Sequence, residues 1–153
     1  MNKEDKDLLF KDLCARLPYG VKLQKFNEPD SAFELYSFNK ESGEIMFYKY
    51  RGKALEIADV GRLYRYNVLL YKPFLRPMSD MTEEEDNERK QLGILCAIKG
   101  NGSRERIFDG FGNESVDTQL KALDWLNAHH FDYRGLIEKG LALEAPEGMY
   151  KMN

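Results

Sequence analysis

Asp124, His129, His130 and Asp132 are the side chains of this 153-residue chain whose types first suggest chemistry. Imidazole and carboxylate groups together bind zinc or move protons. Their spacing argues against one shared ion. Neighbouring side chains diverge by about 100° around a helix, so His129 and His130 do not both reach the same metal. Asp124 precedes them off the usual i, i+4 face, and a complete site needs a further ligand from elsewhere. As a general base, either His needs a positioned partner and a nucleophile. The Ser, Cys and Asp residues of the chain lie in no nucleophile-elbow frame. The two His are read as closing a helix, and no catalytic residue, cofactor or metal is assigned.

The other candidates have simpler readings as turns or helix ends. Gly100-Asn-Gly102 with Arg104 and Arg106 has the composition of a phosphate cradle but not the P-loop spacing or its Lys-Ser/Thr ending. Asp109-Gly-Phe-Gly112 resembles a kinase tetrapeptide, with no other kinase segment in the chain. The run Glu83-Glu-Glu-Asp86 lacks the alternating oxygen ligands of a calcium loop and suits the first turn of a helix. Cys14 and Cys96 stand alone, so neither a disulfide framework nor a zinc ribbon is expected. Cys14 is read as a small core residue.

One feature is electrostatic. The chain carries a formal charge of −3, yet residues 49–76 hold seven basic residues, Lys49, Arg51, Lys53, Arg62, Arg65, Lys72 and Arg76, against Glu56 and Asp59. Tyr48, Tyr50, Tyr64, Tyr66, Tyr71 and Phe74 are interleaved with them. Basic groups track a phosphate backbone and aromatic faces stack on bases. The competing reading is that Tyr fits a half-buried sheet, with Lys and Arg turned outward. The possible nucleic-acid surface is therefore Lys49, Arg51, Lys53, Arg62, Arg65 and Lys72 with Tyr48, Tyr50, Tyr64 and Tyr66.

The elements that would position these groups follow from periodicity. Residues 3–17 form an amphipathic helix with Leu9, Phe10, Leu13, Cys14 and Leu17 on one face, stopped by Pro18 and Gly20. From about 21 to 77 the pattern changes to short strands: Val21–Phe26, Phe33–Phe38, Glu44–Tyr50, Ala54–Ala58 and Asn67–Tyr71. Phe33–Phe38 and Glu44–Tyr50 make a hairpin closed by a loop containing Gly43. Pro73 and Pro77 bracket an extended exit at Phe74–Arg76. Thr82 and Glu85 form a capping box for a helix from 83 to about 92 or 98, with Ile94–Ile98 as an alternative short strand. Ser115 caps a last helix whose apolar face is Val116, Leu120, Leu123 and Leu126. Beyond it, Phe131, Tyr133, Leu136, Ile137, Leu141 and Leu143 cover a core edge, with Gly135 and Gly140 at positive-φ turns. Trp125 is expected to be largely buried between the last helix and this tail.

The fold expected is α+β, with a small antiparallel β-sheet or SH3-like barrel (about 21–77) flanked by an N-terminal helix and C-terminal helices. One domain, 1–153, contains a helix at 1–18, a β half at 19–78 and a helical half with an ordered tail at 79–153. Hydrophobic content of 42% supports a real core rather than disorder. Met1-Asn-Lys-Glu-Asp-Lys-Asp7 has no apolar leader core, and no apolar run approaches membrane-spanning length. A reduced cytoplasm is the expected location, with no membrane partner.

Asp124-Trp-Leu-Asn-Ala-His-His-Phe-Asp-Tyr-Arg-Gly-Leu-Ile-Glu-Lys-Gly-Leu-Ala-Leu-Glu-Ala-Pro-Glu-Gly-Met-Tyr150 resembles the C-terminal signature of a family of short uncharacterised proteins of gut Bacteroides-type bacteria, often near phage-like or mobile genes. Lys11-Asp-Leu-Cys-Ala-Arg-Leu-Pro-Tyr-Gly-Val21 resembles the opening of that family. Lys72-Pro-Phe-Leu-Arg-Pro-Met-Ser-Asp-Met-Thr-Glu-Glu-Glu85 resembles its middle. The resemblance brings no activity, cofactor or catalytic residue. Together with the missing constellation, it leads to the expectation of a non-enzymatic accessory or adaptor protein that binds another protein. Nucleic-acid binding through the basic, Tyr-rich β surface is the alternative.

Overall fold

The computed structural model describes residues 1–26, 28, 32–39, 44–51, 54–55, 66–99 and 105–150, with the backbone alone at 36, 38, 44–51, 54–55 and 66–68. Helices and antiparallel sheets form an α+β arrangement with a helix at each side of the β region in sequence. Contacts group the chain into two compact units, Met1–Phe74 with Lys139–Leu143, and Leu75–Glu138 with Glu144–Asn153.

The first unit begins with helix α1 (Lys3–Arg16), capped by Asn2, whose side chain accepts a 2.7 Å bond from the Asp5 amide. Leu9, Phe10 and Leu13 are buried as the periodicity requires, but Cys14 is exposed. At about 100° per residue, Cys14 lies roughly 40° beyond Phe10, past the edge of the buried arc. The other side of that arc holds Asp12 and Arg16, both fully buried and joined by bonds of 2.8 and 3.1 Å. An i, i+4 pair of charges reads in sequence as a solvated face, so this ionic contact went unanticipated.

The sheet strands are β1 (Lys22–Lys25), β2 (Phe33–Asn39), β3 (Glu44–Arg51), β4 (Ala54–Leu55), β5 (Tyr66–Asn67) and β6 (Tyr71–Leu75). They run in the order β4-β3-β2-β1-β6, with β5 also on β3. The antiparallel sheet anticipated for this region is therefore present, and no closed barrel forms among the described residues. The β2–β3 pairing shifts register between Leu35 and Ser37.

Asn67–Tyr71 does not form one strand. Val68–Leu70 is a 3-10 turn, and the segment expected to be a simple exit belongs to β6. Pro73 is tolerated there because Leu23 and Pro73 are partners in a pair that does not exchange hydrogen bonds. The Phe26 amide bonds the Leu70 carbonyl, and alternation along the ladder then turns the missing Pro73 N–H away from β1.

The second unit contains α2 (Glu83–Gln91), β7 (Leu95–Ile98), β8 (Arg106–Gly110) and α3 (Val116–Ala128); a short strand β9 (Leu143–Glu144) follows beyond β6 in the first sheet. Thr82 and Glu85 make both bonds of the capping box on α2. The helix stops at Gln91 because Gly93 takes a positive φ of 66°, and Ile94–Ile98 goes on as extended chain into β7. Ser115 caps α3. Met78, Met81, Ile94, Ala122, Leu126 and Phe131 form a buried cluster. Burying a Leu or Phe fully contributes roughly 1.5–3 kcal/mol over leaving it exposed.

The apolar face expected on α3 is displaced. Val116 and Leu120 are 72% and 57% exposed, while Ala122 and Leu126 are buried. Val116 and Leu120 lie about 120° and 160° around the helix from Ala122, so a stripe through Val116 cannot also face the core. The tail packs as anticipated: Phe131, Leu136 and Leu141 are buried, and Gly135 and Gly140 have positive φ. Among the described residues, no helix is long and apolar enough to cross a membrane.

Candidate functional site

Of the His and Asp residues that suggested chemistry, Asp132, His129 and His130 are occupied structurally. Asp124 is exposed. The Asp132 carboxylate accepts from the Leu136 and Ile137 amides at 2.8 and 2.7 Å. His129 Nδ1 lies 2.9 Å from the Trp125 carbonyl, and its ring packs 4.2 Å from the indole. His130 takes a positive φ of 56° and stacks on Tyr150 at 3.7 Å. Among the described residues, no group of three or more His, Cys, Asp and Glu could hold a metal.

Trp125 is half-buried rather than enclosed by the tail. Its indole N–H donates to Glu88 Oε2 of α2 at 2.9 Å, so a surface carboxylate satisfies the polar edge while the ring packs on Phe131.

The basic, Tyr-rich segment is only partly described. Lys53, Arg62, Tyr64 and Arg65 lie outside the described residues. Tyr48, Lys49, Tyr50 and Arg51 are backbone positions of β3, and Tyr66 of β5. Lys49 is paired with Phe33 and Tyr48 with Glu34. Lys72 is half-buried and paired with Gln24 of β1. Tyr71 and Phe74 are core residues, Tyr71 meeting Phe33 edge-on at 5.8 Å.

Arg76 is committed elsewhere. Its guanidinium grips Glu85 with two bonds of 2.7 and 2.9 Å, donates to the Asp80 carbonyl and lies 4.4 Å over the Phe131 ring. Burial pushes the Glu85 carboxyl up, but the Arg76 hydrogen bonds, the Thr82 amide and nearby positive charge outweigh it and hold the pKa below the ordinary value. This latch fixes the first turn of α2.

The last turn of α2 fixes the ribbon β7–β8. Arg89 Nη1 donates to the Ile94 carbonyl, and Arg89 Nε donates to Asp86 at 2.9 Å. Lys90 and Arg106 also reach Asp86, at 2.8 and 3.5 Å, and Arg106 donates to the Met81 carbonyl. Hydrogen bonding from Lys90, then Arg89, lowers the Asp86 pKa against the effect of burial. One face of the ribbon is thereby held. Cys96 and Phe108 pack from it onto the buried cluster.

The ribbon's remaining surface is uncommitted among the described residues. Leu95, Ile98 and Ile107 are 45%, 66% and 39% exposed. No strand other than β8 pairs with β7 there. The Lys99 amide bonds the Glu105 carbonyl in the same register that pairs Ala97 with Ile107. Bonded and non-bonded pairs alternate, so the N–H and C=O groups of Cys96 and Ile98 point away from β8 toward the outer edge.

No protein-family model, curated protein or solved structure matches the chain.

Sequence reasoning did not find this edge. Ile94–Ile98 carried a strand signal, but Arg106–Gly110 mixes charge and Gly and did not. The usable clue was the pair of apolar positions Cys96 and Phe108 on either side of the turn-rich Lys99-Gly-Asn-Gly-Ser103.

Proposed function

We propose that this protein is a non-enzymatic accessory or adaptor that binds another protein through the outer edge and exposed side chains of β7–β8. The observation that carries this reading is the open edge at Cys96 and Ile98 beside exposed Leu95, Ile98 and Ile107. An unpaired strand edge is a template for another chain, and apolar neighbours add burial to its hydrogen bonds. The family resemblance of the sequence supports a mobile-element origin, and the two isolated Cys support a reduced, cytoplasmic setting.

The test is capture of partners from host lysate by the full tagged chain and by Leu95→Glu/Ile107→Glu, each with and without nuclease. The reading expects a protein retained after nuclease and lost with the double variant. A partner that the variant retains unchanged overturns the assignment to the ribbon. Material lost on nuclease treatment moves the assignment to nucleic acid and to the basic segment 49–76.

A further inference from the structure

We infer that the partner segment is an extended, basic and apolar strand that adds to the β7 edge. The inference rests on the ribbon reading above and specifies its occupant. Two observations select that chemistry.

The first is the backbone. The N–H and C=O of Cys96 and of Ile98 face outward two residues apart, the spacing at which an extended chain presents its own bonding groups. A helix laid on this edge would leave them unmatched. On the far side of the ribbon, β8 packs against the 3-10 turn Met78–Asp80 and Arg106 bonds the Met81 carbonyl, so the added strand belongs on β7.

The second is charge. Around the outer surface stand Glu105, Asp109, Glu114 and Glu138, all exposed. Glu138 and Glu105 both reach Lys99, at 2.7 and 3.0 Å, and Glu114 lies against the backbone at Gly93. Lys99 thus offsets only part of the charge of the Glu105 and Glu138 pair it bridges, and Asp109 and Glu114 add exposed carboxylates. The cations Arg89, Lys90 and Arg106 gather instead on Asp86, on the α2 side. Lys or Arg residues flanking an apolar strand would meet these carboxylates, while acidic residues would meet like charge. Leu95 and Ile107, on the face turned away from the buried cluster, take the alternate apolar side chains of the added strand, and exposed Ile98 stands on the other face.

The experiment is selection of a displayed library of random dodecapeptides on the full chain, followed by titration of the synthetic winners. Winners are expected to alternate Val, Ile, Tyr or Phe with Lys or Arg, and to protect the amides of Cys96 and Ile98 from exchange. N-methylation of a winner at alternate residues is expected to abolish binding in one frame and spare it in the other. Charge reversal at Asp109→Lys with Glu138→Lys is expected to weaken binding on the order of tenfold, with the loss reduced at high salt. Acidic or uncharged winners, protection at other amides, or no winner at all overturns the inference. In each of those cases, a native partner still lost with Leu95→Glu/Ile107→Glu leaves the ribbon reading standing. Loss of both overturns both.

Discussion

Replacing Arg76 with Ala removes the latch at the start of α2. Two charge-assisted bonds to Glu85 disappear, with the bond to the Asp80 carbonyl and the contact over Phe131. The pair is only 17% and 16% exposed, closer to a buried pair than to a surface one. Surface pairs contribute up to about 1 kcal/mol, whereas breaking a buried pair costs about 3–5 kcal/mol. The guanidinium–ring contact adds about 0.5–1 kcal/mol. The expected loss is about 2–3 kcal/mol, or roughly 5–10 °C in Tm for a chain of this size. Urea unfolding followed by emission of Trp125, the single Trp and a neighbour of Phe131, reads it directly.

The same pair gives a pH signature. Glu85 has a folded-state pKa below its ordinary value of 4.5. Its contribution is therefore complete above about that pH and is lost as pH falls through the lower folded value. Glu85→Gln keeps an acceptor for Arg76 and loses the charge. Its stability gap from the parent protein is expected to be constant near neutrality and to shrink in acid. A loss below about 0.5 kcal/mol for Arg76→Ala, the range of an ordinary surface substitution, would refute the latch. So would a Glu85→Gln gap that widens in acid.

The remaining predictions concern other parts of both units. Gly93→Ala places a Cβ 2.3 Å from Glu114 Cγ at a positive φ, and is expected to cost about 1–2 kcal/mol. Adding Glu114→Ala removes the clash but not the backbone strain, so urea midpoints should show partial rescue. Asp12→Ala deprives the buried Arg16 of its carboxylate and is expected to cost about 3–5 kcal/mol, while Asp12→Leu with Arg16→Met recovers most of it. Thiol labelling of the native chain should be biphasic. Exposed Cys14 reacts first, and Cys96, whose thiol pKa is pushed up by burial, reacts later. Two equally fast thiols would contradict the packing of Cys96.

Local signals in the sequence were sufficient where one residue type answers one backbone need. Thr82 and Ser115 cap their helices, and Gly135 and Gly140 take the turns that favour Gly. Periodicity was less informative where apolar residues outnumber the buried positions. On α3, Val116 and Leu120 look the same in sequence as Leu126, and the tertiary neighbours decide which of them is covered. Asp12 and Arg16 show the converse, since charges in a helix carry no local mark of burial. The candidate edge was hidden for a third reason. A strand's pairing partner is a long-range property, and the outward groups of Cys96 and Ile98 become identifiable only once the β7–β8 register is known.

Amide hydrogen exchange across Leu95–Ile98, in the free chain and with a captured partner, tests the open edge most directly. In the free chain, the Ala97 amide should be protected by its pairing with Ile107, while those of Cys96 and Ile98 exchange quickly. With the partner bound, Cys96 and Ile98 should slow together. Protection of both amides in the free chain, or partner binding that leaves their exchange unchanged, would contradict β7 as the docking edge.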